Sequence, residues 1–288
     1  MFKKVNIGAK VTAVVLAIVL VTVATVSFLT FSFSRKALEE KYIKNLSLIS
    51  SHKASKIDDI FNKVKEQSLF ISELQNIGEL INYDSLDTNS SEGKSKILAA
   101  NNDLKNLQKA YGYQNIFLYD EQGKLLADTK EDSNDSENAF QLEDTGNQFL
   151  SKSIKSFSVF LAPSAEKLTI GVPLKSKKGA VIFQLPTDKL YSLLKDTVGL
   201  GKTGETILIR SLNNETSFIS PLRLIDYSRN TLFGIRSTYN PTDVSSGFTG
   251  FSYDKDYRKN ATLTFWRPVS GTNWSLITKL TRRKLMRI

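Results

Sequence analysis

Residues 11–33, VTAVVLAIVLVTVATVSFLTFSF, form a run of 23 residues without a single charge. As a helix rising about 1.5 Å per residue, such a run crosses a hydrocarbon layer of about 30 Å with some tilt to spare. Its valines and threonines are no obstacle, because lipid forces backbone hydrogen bonding to close within a helix. A cleaved leader is the rival reading, and Ser32-Phe33-Ser34 is a tolerable small-x-small site. Leader cores are about 7–15 residues long, so the length favours a retained transmembrane helix. Lys3, Lys4 and Lys10 precede the run, and Arg35, Lys36, Lys41 and Lys44 come after it, so charge bias does not fix the orientation. A ten-residue tail is more easily held inside than a folded domain, which puts residues 1–10 in the cytoplasm and the bulk of the chain outside.

The helical pattern continues past the apolar run. From Arg35 no glycine or proline occurs until Gly78. Leu46, Ile49, Ile60, Val64, Ile71, Leu74 and Ile81 fall on alternating three- and four-residue spacing, interrupted by Lys53, Lys56 and Gln67. Such a stripe either packs along its own domain or pairs with a second copy, and a homodimer through this stalk is the expectation. His52 reads as an ordinary stalk residue, since a phospho-accepting histidine needs a cytoplasmic dimerisation helix and an ATP domain.

Composition removes whole classes of function. With no cysteine and one histidine, the chain has no material for a disulfide framework, a thiolate or histidine metal site, a cysteine nucleophile or a Ser-His-Asp triad. No catalytic residue, metal or cofactor is therefore expected. The net charge of +10 suggests nucleic acid, but eight of the basic residues lie in the first and last ten positions, which hold no acid. The remainder is close to neutral, unlike a basic binding face, so no nucleic-acid partner is expected. Gly201-Lys202-Thr203 lacks the earlier glycine of a phosphate loop, Asp196 standing in its place, and reads as a turn. The acidic stretch 131–137 lacks the glycine and terminal glutamate of a calcium loop and reads as a solvated loop.

Beyond a polar break at 84–95 and a helix over 97–110, the pattern switches to period two. Strands are expected at 113–120, 124–128, 157–161, 167–173 and 180–185, with helices near 146–154 and 187–194. A second cycle places strands at 207–210, 217–220, 247–253, 261–266 and 274–279. The fold class is α+β: a transmembrane helix and long stalk helix, then two antiparallel-sheet units in series. The organisation is 1–10 tail, 11–33 span, 34–110 stalk and leading helices, 111–195 distal unit and 196–285 proximal unit.

Several segments, in order, resemble the double Cache sensor family, whose units share a PAS-like sheet. These are 179–190 (GAVIFQLPTDKL), 199–206 (GLGKTGET), 218–223 (FISPLR), Asp256-Tyr257-Arg258, and 266–280 from Trp266-Arg267-Pro268-Val269 to Trp274-Ser275-Leu276-Ile277-Thr278-Lys279-Leu280. Two departures stand out. Lys259 occupies a position where the family usually has glycine, and no Arg-x-x-Trp-Tyr segment of amino-acid-binding members is present, Gln148-Phe149-Leu150 standing about there.

The resemblance implies a ligand in the distal unit, between its sheet and the acidic loop with the helix after it. Tyr119, Asp128, Thr129, Phe149, Phe157 and Phe160 are the candidate ligand-binding residues, aromatic walls with a few polar anchors. It also implies a small-molecule sensor of a bacterial signal-transduction receptor, such as one in a two-component system. The chain would sit in the inner membrane with one span, its bulk periplasmic or extracellular. Its output domain would be lacking or separate, acting through a cytoplasmic kinase, cyclase or chemotaxis partner. A membrane-tethered solute-binding protein without signalling output is the alternative.

Overall fold

In the computed structural model the described residues are 7–81, 90–130, 143–161, 167–175, 178–212, 215–224 and 247–281; the acidic stretch 131–137 and the basic residues 282–287 lie outside them. One helix, α1 (Ile7–Glu73), carries the apolar run and the stalk without interruption. It is the one described helix long and apolar enough to cross a membrane, and the side chains of residues 11–33 are exposed throughout. The helix stops at Leu74 rather than at Gly78. Leu74 N–H bonds back to the Ile71 carbonyl, and a short helix α2 (Gln75–Ile81) continues through Gly78.

Of the break expected at 84–95, residues 84–89 lie outside the described residues, and 91–95 belong to helix α3 (Ser91–Tyr111), whose N-cap is Ser90. The Ser90 hydroxyl accepts the Gly93 N–H and caps the first turn. Strands β1 (Asn115–Asp120), β2 (Leu125–Asp128), β3 (Ser158–Leu161), β4 (Lys167–Pro173) and β5 (Gly179–Pro186) form an antiparallel sheet in the order β2-β1-β5-β4-β3. Helix α4 (Glu143–Lys155) precedes β3, and α5 (Asp188–Lys195) comes after β5. The second cycle repeats the pattern with β6 (Glu205–Leu212), β7 (Glu215–Phe218), β8 (Gly250–Lys255), β9 (Ala261–Pro268) and β10 (Trp274–Thr281), in the equivalent order β7-β6-β10-β9-β8. Between the cycles, Gly199 and Gly201 sit at φ +78° and +64°, so the Gly-Lys-Thr segment is a turn.

The stalk stripe faces the chain's own sheets. Leu46, Ala54, Ile57, Phe61, Val64 and Ile71 are buried, at the three- and four-residue intervals of one helix face. Leu46 packs with Leu200, Leu263, Phe265 and Leu280 of the second sheet. From Ala54 onwards the stripe joins a larger core holding Leu118, Val181 and Phe183 of the first sheet together with Leu208, Trp274 and Leu276 of the second. Ile49, Ile60, Leu74 and Ile81 are half-buried.

Two of the polar breaks in the stripe, Lys53 and Gln67, are inside the protein; Lys56 is exposed. The Lys53 ammonium donates to the Leu194 and Asp196 carbonyls at 3.3 and 2.6 Å and to the Thr206 hydroxyl at 3.1 Å, tying α1 to the segment between the two units. Burial lowers its pKa from 10.5 to about 8, against the opposing pull of Asp196. The unfolded chain therefore holds this proton over a pH range in which the folded chain has released it. Unfolding free energy should rise between pH 8 and 10.5, by up to about 3 kcal/mol in wild type relative to Lys53→Met. Urea midpoints of residues 35–288, measured for both proteins over that range, check this. Parallel curves would show that Lys53 does not titrate there.

Candidate functional site

Each sheet has one face against α1 and one turned away from it. On the first sheet the outward face is set by register: Phe117 of β1 lies opposite Ile182 of β5, Tyr119 opposite Ala180, and Asn115 opposite Gln184. Asp128 of β2 lies across from Phe117, while Thr169 and Gly171 of β4 lie across from Gln184 and Ile182. Phe160 of β3 pairs with Thr169. Alternation puts all of these on the same face.

Helix α4 covers part of this face. Phe149 packs with Phe117, Tyr119, Ala180 and Ile182, and its ring lies 5.8 Å from that of Phe160. The approach is close because residue 171 is glycine: a Cβ there would stand 2.0 Å from the Ser153 hydroxyl of α4. Ser153 donates back to the Phe149 carbonyl and shares a 2.5 Å hydrogen bond with Ser158 of β3.

The described part of the site is thus an aromatic floor with polar groups at its margin. The Asn115 amide donates to the Gln184 side-chain oxygen at 2.8 Å. Asp128 is held by its backbone, its N–H donating to Asn101 and its carboxylate accepting the Lys130 N–H. Burial, aided by the Asp128 carboxylate, pushes the Tyr119 hydroxyl up to about 12, so it stays a neutral donor over the physiological range.

Of the six residues singled out in the sequence, Tyr119, Asp128, Phe149 and Phe160 lie together on this face. Thr129 does not: its buried hydroxyl accepts the Ile116 N–H and closes the end of the β1–β2 pair. Phe157 precedes β3 and turns to the other side, 5.7 Å from the ring of Phe61 on α1. Phe117, Asn115 and Gln184 belong to the face although nothing local in the sequence marks them. Phe117 sits in a β1 run that is apolar at every position from 116 to 119, so alternation could not assign its face.

The outward face of the second sheet is built differently. Lys279, fully buried, pairs with Glu205 at 2.8 Å and with Asp256 at 3.1 Å, and its ammonium lies 4.0 Å from the centre of the Tyr257 ring. The Tyr257 hydroxyl donates to Glu205 at 2.5 Å, and burial with that carboxylate raises its pKa. Below this cluster lie Ile207, Ile209, Phe218, Trp266 and Ile277. The charges here are neutralised by the chain itself. Among the described residues no group of histidine, cysteine, aspartate and glutamate could hold a metal ion.

Solved structures share this architecture. A domain of a sensory box/GGDEF family protein from Vibrio parahaemolyticus superposes with a TM-score of 0.56 at 16% identity, covering 86% of this chain and 99% of that one. The ligand-binding domain of the Campylobacter jejuni chemoreceptor Tlp3 in complex with L-norvaline gives 0.56 at 14% identity, covering 89% and 97%. The extracellular domain of the histidine kinase vpHK1S-Z8 gives 0.52 at 15%, covering 87% and 95%. No curated protein matches the sequence. Residues 34–287 match the sequence model of the Cache domain, and the paired five-stranded sheets behind one long helix are its double form: this chain belongs to the Cache domain family of sensory domains.

Proposed function

We propose that the chain is the sensory part of a membrane signalling receptor. It binds a small organic molecule, without transforming it, on the outward face of the first sheet. One contrast carries this reading. Of two topologically equivalent faces, the second is closed by its own Lys279–Glu205–Asp256 cluster, whereas on the first Phe149 packs over the buried Phe117 and the half-buried Phe160 and backbone-anchored Asp128 carboxylate stand at the margin. An aromatic floor with few fixed polar groups suits a ligand with a compact apolar body and a cationic or hydrogen-bonding head directed to Asp128. The Tlp3 structures, which hold L-norvaline, isoleucine and L-valine, make amino acids a reasonable first set to try.

Differential affinity for two arrangements would shift the balance between them, and α1 would carry the change to the membrane. Residues 11–33 support anchoring in a membrane by their length and exposure. Leu48, Leu69 and Phe70, at 61%, 50% and 48% exposure, lie on the face of α1 turned from the sheets and support a second copy packed there.

Thermal melting of residues 35–288 against a metabolite panel tests the site. A ligand at a hundred times its Kd should stabilise by about 2.7 kcal/mol. Asp128→Asn should weaken that ligand at least tenfold and leave the unliganded melting temperature unchanged. Absence, across amino acids, amines and small carboxylates, of any hit that depends on Asp128 and Phe160 would remove the proposal.

A further inference from the structure

On the opposite side of the first sheet, a groove of about 430 Å³ runs between α1, α5, the end of α3 with Tyr113 after it, and Leu185 of β5. Ile60 and Val64 of α1, with Leu185 and Leu193, give it an apolar floor. Its rim is basic: Lys56, Lys63 and Lys189 border it, against the single acid Asp59, with His52 at one end. All three lysines are exposed, and none forms an ion pair with the described residues.

A second observation points to an occupant. Gln67 lines the groove and is only 7% exposed; its carbonyl oxygen accepts from the Tyr113 hydroxyl, yet its amide nitrogen has no hydrogen-bond partner. A buried donor without a partner is costly, and a group that accepts from it relieves the cost. Tyr113 is held neutral by burial, so it adds no charge that would repel an anion.

We propose that this groove binds a small amphipathic anion, a carboxylate on a short aliphatic chain. The aliphatic chain would lie on Ile60, Val64, Leu185 and Leu193. The carboxylate would accept from Gln67 and sit in the field of Lys56, Lys63 and Lys189. The site is separate from the outward face, because Leu185 alternates with Gln184 and points to the α1 side. The occupant is a free solute rather than a bilayer lipid: Ile60 lies about 40 Å along α1 from Phe33, beyond the reach of a headgroup. Because α5 leads into the second unit, the occupant would bridge the stalk helix to the junction between units.

Titration calorimetry of the full chain in zwitterionic lipid nanodiscs, with empty discs as reference, tests this. The probe is octanoate, compared with acetate and octylammonium. Saturable binding of one octanoate per chain is expected, at least tenfold tighter than either comparison ligand. The surface variant Lys56→Glu/Lys189→Glu should lose at least tenfold, and Gln67→Met should lose severalfold with the melting temperature of the unliganded protein recorded alongside. Absence of saturable binding beyond empty discs would overturn the site. So would equal binding of octylammonium, or affinity unchanged in the charge-reversed variant. Competition from phosphatidylglycerol placed in the disc would overturn the assignment to a free solute.

Discussion

Asp256→Ala should destabilise the proximal unit by roughly 3–5 kcal/mol, the range found when a buried ion pair loses one partner. Asp256 is 1% exposed and serves several groups at once. Its Oδ2 accepts from the Lys279 ammonium at 3.1 Å and from the Arg258 guanidinium at 2.8 and 3.1 Å, while its Oδ1 accepts the Arg258 and Asn260 N–H groups. The last two hold a turn in which Lys259 takes φ +63°, a left-handed conformation a lysine adopts at a cost of about 1 kcal/mol. Removing the carboxylate leaves Lys279 with Glu205 alone in an interior it cannot leave. Lys279→Met should cost less in this variant than in wild type, because of the two buried carboxylates it would strand, Glu205 and Asp256, one is already gone. Urea unfolding of residues 35–288 measures both effects; a loss below about 1 kcal/mol, or strict additivity of the two changes, would refute the account.

The same residue sets an acid limb. Burial raises the pKa of Asp256, but the Arg258 hydrogen bond, the Lys279 charge and hydrogen bond, and the Asn260 N–H outweigh it, and the net shift is downward. With its folded pKa below the unfolded value, the contribution is complete above about pH 4 and disappears as pH falls through the folded pKa. Wild type should therefore approach the stability of Asp256→Asn only in strong acid.

How far the sequence discloses this protein depends on whether the deciding contact is local. The strands are readable because β-branched and aromatic residues cluster between turn residues, and Lys259 stands out at a position where the family usually has glycine. That position does require a left-handed residue, and the Asp256 carboxylate supplies the support glycine would have made unnecessary. The buried lysine of α1 is not readable. Lys53 looks like an interruption of a helical stripe, and only carbonyls at 194 and 196, which lie 141 and 143 positions away, make its burial tolerable. Phe157 reads as a ligand-site aromatic because it adjoins a strand, but it lies one residue before β3 and turns towards α1 instead. The basic groove is invisible for a similar reason: its walls are brought together from α1, α3, β5 and α5, and each of its lysines alone resembles any solvated lysine.

Phe61→Ala should cost about 3–5 kcal/mol, as large-to-small changes at fully buried aromatic sites do. It should also separate the two units in melting. Phe61 is 2% exposed on α1, with the Phe157 ring of the first unit at 5.7 Å and the Trp274 ring of the second at 6.2 Å. It is the point at which both sheets and the stalk share one core. Tilted and edge-on aromatic pairs contribute about 0.5–1.5 kcal/mol beyond their buried area, so the substitution removes two such contacts as well as volume. At about 2–4 °C per kcal/mol for a domain of this size, the melting temperature of residues 35–288 should fall by roughly 6–20 °C. With the shared contact gone, the single transition should broaden or split, the Asp256–Lys279 cluster holding the second sheet after the first has opened. Tryptophan fluorescence, which comes from Trp266 and Trp274 of the second sheet, and calorimetry recorded on one sample distinguish the outcomes. Coincident transitions in the variant, lowered by less than about 3 °C, would mean that the two units are coupled somewhere other than at Phe61.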